Sequence, residues 1–250
     1  MQKESLYHLR CAIWTLLQET GLLNSVTMHN KTSVYSCKKL SDSFLASGRL
    51  DAEYYQPKYD RLLTTLRSFH TAVVKDIAVI QKSIEPGSEA YQEEGVPFIR
   101  VSNLSKFGIS DSEIKLDAVS YANVIRPKKD TILLSKDGSV GIAYKVEEPM
   151  DIITSGAILH LSVFDKSVLP DYLTLVLNSI VVKLQAERDA GGSIIQHWKP
   201  SEIENVVIPI LPQGEQQRIA NTIQESFRLR KESQLLLERA KSIVEQAIDL

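Results

Sequence analysis

Three side chains alternate as acid, acid and base at Asp111, Glu113 and Lys115. Such a triple could hold a divalent metal and activate water for phosphodiester cleavage. The same spacing is common on exposed strands, where it only solvates a face, and that is the simpler reading. The histidines His8, His29, His70, His160 and His197 show no metal-ligand spacing. Gly138-Ser139-Val140-Gly141 is too short for a phosphate-binding loop and no Lys-Ser or Lys-Thr follows it. Ser193 follows two glycines but lacks the Gly-x-Ser-x-Gly context of an activated nucleophile. No Asn-Pro-Pro-aromatic tetrapeptide, a mark of amino-methyl transfer to a base, is present.

Two loops instead have the composition of contact surfaces. Ser135-Lys136-Asp137-Gly138-Ser139 offers hydroxyls, a cation, a carboxylate and pliable backbone, a set suited to phosphates and base edges. A tight Asp-Gly hairpin turn would explain the same residues without a ligand. Gly191-Gly192-Ser193-Ile194-Ile195-Gln196-His197-Trp198-Lys199 combines two glycines with donors at Gln196, His197 and Lys199. Its plainer reading is a helix end followed by a strand, with Trp198 in the core.

Short β-type runs must carry these loops. They are Val73–Ile80, Val96–Val101, Thr131–Ser135, Val140–Val146, Ile158–Phe164 and Val206–Ile210, each bounded by Gly, Pro, Asp or Ser. One helix interrupts them, opened by Pro170 and Asp171, lined by Leu173, Leu177, Ile180 and Leu184, and closed by Gly191–Gly192. Upstream, residues 5–23 repeat apolar side chains near the helical period, residues 24–36 read as loop or weak strand, and Asp51–Phe69 forms a helix with Pro57 near its start. The fold class is α+β, a mixed β domain followed by a long coiled-coil-type helix. The expected divisions are 1–50, partly helical and of open role, 51–211, and 212–250.

The last division carries the clearest periodicity. From Gln213 to Leu250 there is no Pro and only one Gly. Leu229, Leu236, Ile243 and Leu250 recur every seven residues, with Ser233, Ala240 and Ala247 four positions after the first three. This is a heptad seam with large residues at one core position and small ones at the other; its plainer reading is a terminal helix packed on its own domain, and its sharper one is pairing with another long helix, in this chain or a second.

Composition narrows the class further. Of 250 residues, 43% are hydrophobic and 24% charged, so a real core is expected and wholesale disorder is excluded. The formal net charge is −2, with 14 basic and 19 acidic residues in 71–211, so charge alone does not announce a nucleic-acid binder. A local basic run at Arg126, Lys128 and Lys129, followed by Lys136 and Lys145, reads first as a solvated face. No apolar run reaches membrane-spanning length and no secretory signal is evident. Cys11 and Cys37, far apart, suit a reduced cytoplasmic protein.

Five segments taken in order resemble one family, the DNA-specificity subunit of type I restriction-modification enzymes. Arg49-Leu50-Asp51-Ala52-Glu53-Tyr54-Tyr55-Gln56-Pro57-Lys58-Tyr59 resembles the opening of its target-recognition unit, and Val96 to Leu104 an early strand and turn. Ile132 to Gly141 resembles the central hairpin, and Gly191 to His197 the turn after the domain helix. Ile208-Pro209-Ile210-Leu211-Pro212 with Glu215-Gln216-Gln217-Arg218-Ile219 resembles the junction into the long helix. A full specificity subunit has two recognition domains and two such helices; this chain has one of each and looks like a half-subunit. Residues 1–33 match nothing in the family pattern.

The resemblance implies a non-catalytic reader of one half of a bipartite DNA site, with no cofactor of its own. Methyltransferase and motor-nuclease subunits are the implied partners. DNA contact is expected at Ser102, Asn103, Ser135, Lys136, Asp137, Gly138, Ser139, Gly192, Ser193, Gln196, His197 and Lys199. A homodimer is expected through Ile219, Leu229, Leu236, Ala240, Ile243 and Ala247. The competing class is a coiled-coil scaffold protein that never touches DNA.

Overall fold

The computed structural model describes residues 2–22, 35–190 and 196–248. Helix α1 covers Gln2–Glu19 and buries Ser5, Ala12 and Leu16. The segment expected as loop or weak strand lies almost wholly outside the described residues. Helix α2 covers only Pro57–Leu66, with Pro57 in its first turn, where a missing N–H costs nothing. Residues 52–55 form a turn, so Tyr55 lies outside the helix, while Tyr59, Leu62 and Leu66 make its buried face.

The centre of the molecule is an antiparallel sheet in the order β2 (Ala78–Lys82), β10 (Ile158–Val163), β7 (Ile132–Ser135) and β8 (Ala143–Lys145). A second sheet places β3 (Val96–Ile99) between antiparallel β6 (Lys115–Leu116) and parallel β9 (Ile153–Thr154). Two small ladders complete the set. One pairs β1 (Thr71–Val73) with β11 (Val207–Pro209), the other β4 (Leu104–Ser105) with β5 (Gly108–Ile109). Together with the long terminal helix this is the α+β class with mixed sheets that the sequence indicates.

Side-chain alternation along β10 separates two layers. Leu159 and Leu161 join the main core, where helix α3 (Pro170–Leu177) contributes Tyr172, Leu173 and Val176. Ile158 turns to the other face, toward Ile99 and Ile152. His160 follows it, and its Nε2 lies 2.8 Å from the Thr154 hydroxyl of β9.

Several expected elements are divided. The run Val73–Ile80 is β1, one helical turn over Val74–Ile77, and then β2. Val74 and Ile77 are both buried, and a three-residue separation puts both on one side only in a helical turn. The single helix expected after Pro170 is two, α3 and α4 (Ile180–Asp189). Asn178 ends the first by bonding both backbone groups of Ala143, its Nδ2 donating to the carbonyl (2.7 Å) and its Oδ1 accepting the N–H (3.2 Å). Ser179 is extended and caps α4, its hydroxyl accepting from the Val181 N–H. The expected strand Val140–Val146 shortens to β8, because Gly141 takes φ 84°, outside the β region.

Lys145, read as part of a solvated basic run, is instead buried, its side chain 8% exposed. Its ammonium lies 3.1 Å from both Asp171 and Glu147 and 3.5 Å from Asp130. Burial disfavours the charge, but Asp171 and Glu147 outweigh it and hold the pKa above the ordinary lysine value.

After the short helix α5 (Pro200–Glu204), the long helix α6 covers Gln213–Ile248. α1 lies antiparallel along its first half, with Ser5 and Ser226 hydroxyls 3.1 Å apart at one end and Glu19 beside Gln213 at the other. Ile219 and Ile223 share the main core with Ala12 and Leu16. The tip of the β4–β5 hairpin also holds α6: Phe107 meets Phe227 edge to face at 6.4 Å, and the Arg230 guanidinium lies 4.3 Å above its ring. Beyond Arg230 the helix leaves the domain, and Leu236 and Ile243 are exposed.

Candidate nucleic-acid interface

The β7–β8 connection folds on itself before it can meet anything else. Ser135 is fully buried; its Oγ donates to the Ser139 carbonyl (2.5 Å) and accepts from the Ile142 N–H (2.9 Å). Its hydroxyl therefore holds the loop rather than facing outward, a correction to its expected contact role. Gly138 sits at φ 69°, where a side chain would be strained.

The two loops singled out in the sequence meet. Asp137 and His197, sixty positions apart, form an antiparallel bridge. The Gly138 N–H donates to the Gln196 carbonyl (3.0 Å), and the Trp198 N–H donates to the Lys136 carbonyl (2.8 Å). Side chains repeat the pairing: His197 Nδ1 lies 2.9 Å from Asp137 Oδ1, while Lys136 forms an ion pair with Asp137 Oδ2. Lys136 is 12% exposed, so its charge is largely spent inside the loop pair. Trp198 is fully buried beneath the junction, as its plainer reading had it. Gly138, Ser139, Gln196, His197 and Lys199 are exposed. Gly192 and Ser193 lie outside the described residues.

Ser102 and Asn103 part company. Asn103 is used internally: its Oδ1 accepts the Arg100 N–H (3.1 Å) and its Nδ2 donates to the Asp111 carbonyl (3.0 Å), so it closes a turn. Ser102 is exposed and lines a depression of about 390 Å³ with Glu85, Tyr91, Arg100, Ser155 and Ala157. That depression adjoins the loop pair, because the Lys136 N–H donates to the Ala157 carbonyl at 2.9 Å. Arg100 was not singled out in the sequence; its place between Ile99 and Ser102 in the strand-and-turn segment was the available signal. Asp111, Glu113 and Lys115 gather no metal site: among the described residues no three His, Cys, Asp or Glu side chains could hold an ion.

Sequence reasoning also passed over a brace behind the loops. Arg49 makes a two-pronged ion pair with Asp51 at 2.7 and 2.9 Å. Its Nη1 reaches the carbonyls of Arg188 and Asp189 at the end of α4 (3.4 and 3.3 Å). Cations at a helix C-terminus meet its negative dipole end. The Tyr54 ring lies under both guanidiniums, 4.6 Å from Arg49 and 5.4 Å from Arg188. The segment read as the start of a helix thus anchors the C-terminal end of α4.

Comparison with known proteins agrees with this architecture. Residues 69–239 match the family model described as the type I restriction modification DNA specificity domain. The type I restriction-modification S subunit from M. genitalium is 20% identical over 69% of this chain and 43% of its own, with a TM-score of 0.52. A chain solved in work on complex assembly and conformational transition of a type I R-M system is 17% identical over 98% of this chain and 54% of its own, at 0.50. The chain thus spans about half the length of these solved structures. A search of curated proteins finds no match. The family match covers the loop pair, the depression and the first half of α6, and the chain belongs to the type I restriction-modification DNA specificity family.

Proposed function

We propose that the chain is a non-catalytic reader of DNA sequence, taking one half of a bipartite site. The observation that carries this reading is the joining of the 136–139 and 196–199 loops into one exposed ridge beside the Ser102 depression. Within the ridge the roles divide by chemistry. Lys199, its side chain 75% exposed and only loosely paired with Glu202 at 3.7 Å, is suited to a phosphate, whereas Lys136 orders the loop through Asp137. With Nδ1–H given to the Asp137 carboxylate, Nε2 is the ring atom left for a base edge, and as an acceptor it suits the exocyclic amine of adenine or cytosine in the major groove. Gln196 and Ser102 add donors and acceptors on either side. Ser135 and Asn103 act by holding their loops in shape.

The rest of the reading concerns assembly. Methyltransferase subunits, and motor-nuclease subunits in the restriction complex, are the proposed carriers of catalysis, and two copies of this chain pair through the distal half of α6. The domain divisions at residues 50 and 211 belong to the same proposal, as does a cytoplasmic setting. No described helix is long and apolar enough to cross a membrane. Selection from a pool of random duplexes tests the reading: enrichment of a defined sequence supports it, and enrichment of none favours the coiled-coil scaffold.

A further inference from the structure

The first helix of the chain repeats the end of the last one. Lys3-Glu4-Ser5 recurs as Lys231-Glu232-Ser233, and in the same ungapped register Leu9 recurs as Leu237, Ala12 as Ala240 and Gln18 as Gln246. Leu16 becomes Val244, another branched aliphatic. The repeated positions include those that seat α1 on the molecule. Ser5, Ala12 and Leu16 are buried, and Leu9 packs half-buried beside them. Their surface is the first half of α6, where Ser226 faces Ser5 and Ile219 and Ile223 face Ala12, Leu16 and Leu9. In the distal half of α6 the same set is on display: Leu237 and Val244 are each 56% exposed. Among the aliphatic positions that pack α1, two depart, Lys241 for Ile13 and Glu245 for Leu17, and most positions on its outer side differ as well. Lys241 can lay its methylene stem along the seam with its ammonium at the edge.

We propose that α1 is an intramolecular stand-in for the distal half of α6 from a second copy, and that pairing of two chains exchanges one for the other. The proposal rests on the self-pairing reading above and names the surface it uses. If Ser233 takes the place of Ser5, the partner's Ser233 lies against Ser226, and the arrangement is antiparallel like that of α1. The same geometry then places Ser226 against Ser233 in the other direction. Both distal halves find a seam at once, about a twofold axis passing between Leu229 and Arg230, so the interface closes on itself. The exchange also explains how Ile219, buried under α1 in the single chain, can serve a subunit interface.

The closeness of the Ser5 and Ser226 hydroxyls, 3.1 Å, supplies a reversible lock. In a background with Cys11→Ser and Cys37→Ser, Ser5→Cys with Ser226→Cys will fasten α1 in place when oxidised. Sedimentation of the full chain is expected to give monomer in the oxidised form and dimer after reduction. A dimer that persists with the disulfide verified by mass overturns the exchange while leaving self-pairing intact. A wild-type chain that stays monomeric at every concentration overturns both. Should the double variant fail to fold, the same residue at the two repeated positions gives an independent test. Ala12→Glu, which loosens α1, is expected to favour the dimer, and Ala240→Glu to abolish it; equal effects in one direction contradict the proposal.

Discussion

His197 and Asp137 show how the proposed recognition residue is oriented before any target arrives. The carboxylate fixes the imidazole through Nδ1 and is itself neutralised by Lys136, so the ridge presents an oriented ring instead of a free negative charge. Replacing His197 with Ala is expected to cost about 1–3 kcal/mol in binding and to relax one base position, measured by competition with single-base variants of the selected site. Lys199→Ala is expected to weaken all sequences alike and to lower the slope of binding against salt by about one. A sequence-dependent loss for Lys199, or a uniform one for His197, would reverse these assignments. His160 belongs to the same scale but to stability. Burial holds its pKa at about 4, down from 6.5. The unfolded chain therefore takes up a proton between those values while the folded chain does not. Stability is full above pH 6.5 and falls by about 3 kcal/mol as the pH drops to 4. Thermal melts over this range are expected to show that slope in the wild type and a flatter one in His160→Gln.

Among the elements, α6 divides into a held half and a free half. Phe107 at the hairpin tip clamps the held half through Phe227 and Arg230. Phe107→Ala is expected to lower stability by about 1 kcal/mol in denaturant titration. Leu236→Glu or Ile243→Glu alters side chains that are exposed in the single chain, so its melting temperature should stay unchanged while self-association is lost on sedimentation. Loss of folding with either variant would place the seam inside the chain instead. The long helix was legible because its heptads are uninterrupted, and the two loops because glycines and polar side chains cluster there. The break at Asn178 was not legible: it depends on Ala143, thirty-five positions away, which offers a backbone pair for one amide. Ser135 and Lys136 misled for a related reason. Their side chains have the chemistry of contact residues, and only the closed loop reveals that they satisfy each other's neighbours. The place of α1 was equally hidden, because its partner is two hundred residues distant.

Across the whole molecule the core is continuous from α1 through the central sheet to α6, so the two joined loops are carried on a body that also fixes the first half of the helix. Lys145 reinforces that connection, linking β8 to Asp171 of α3, whose carboxylate also accepts from the Gln224 amide of α6 at 3.3 Å. Two such bodies joined through a twofold axis would hold their ridges at a fixed separation, which favours a target of two inverted half-sites. The modest overall charge is consistent with the proposed assembly, in which methyltransferase subunits would supply much of the attraction to phosphate. Selection from random duplexes, performed with the purified chain and repeated with an added type I methyltransferase subunit, bears most directly on whether the ridge reads bases. An enriched inverted repeat with a constant gap is the expected result; indiscriminate binding of every duplex would contradict it.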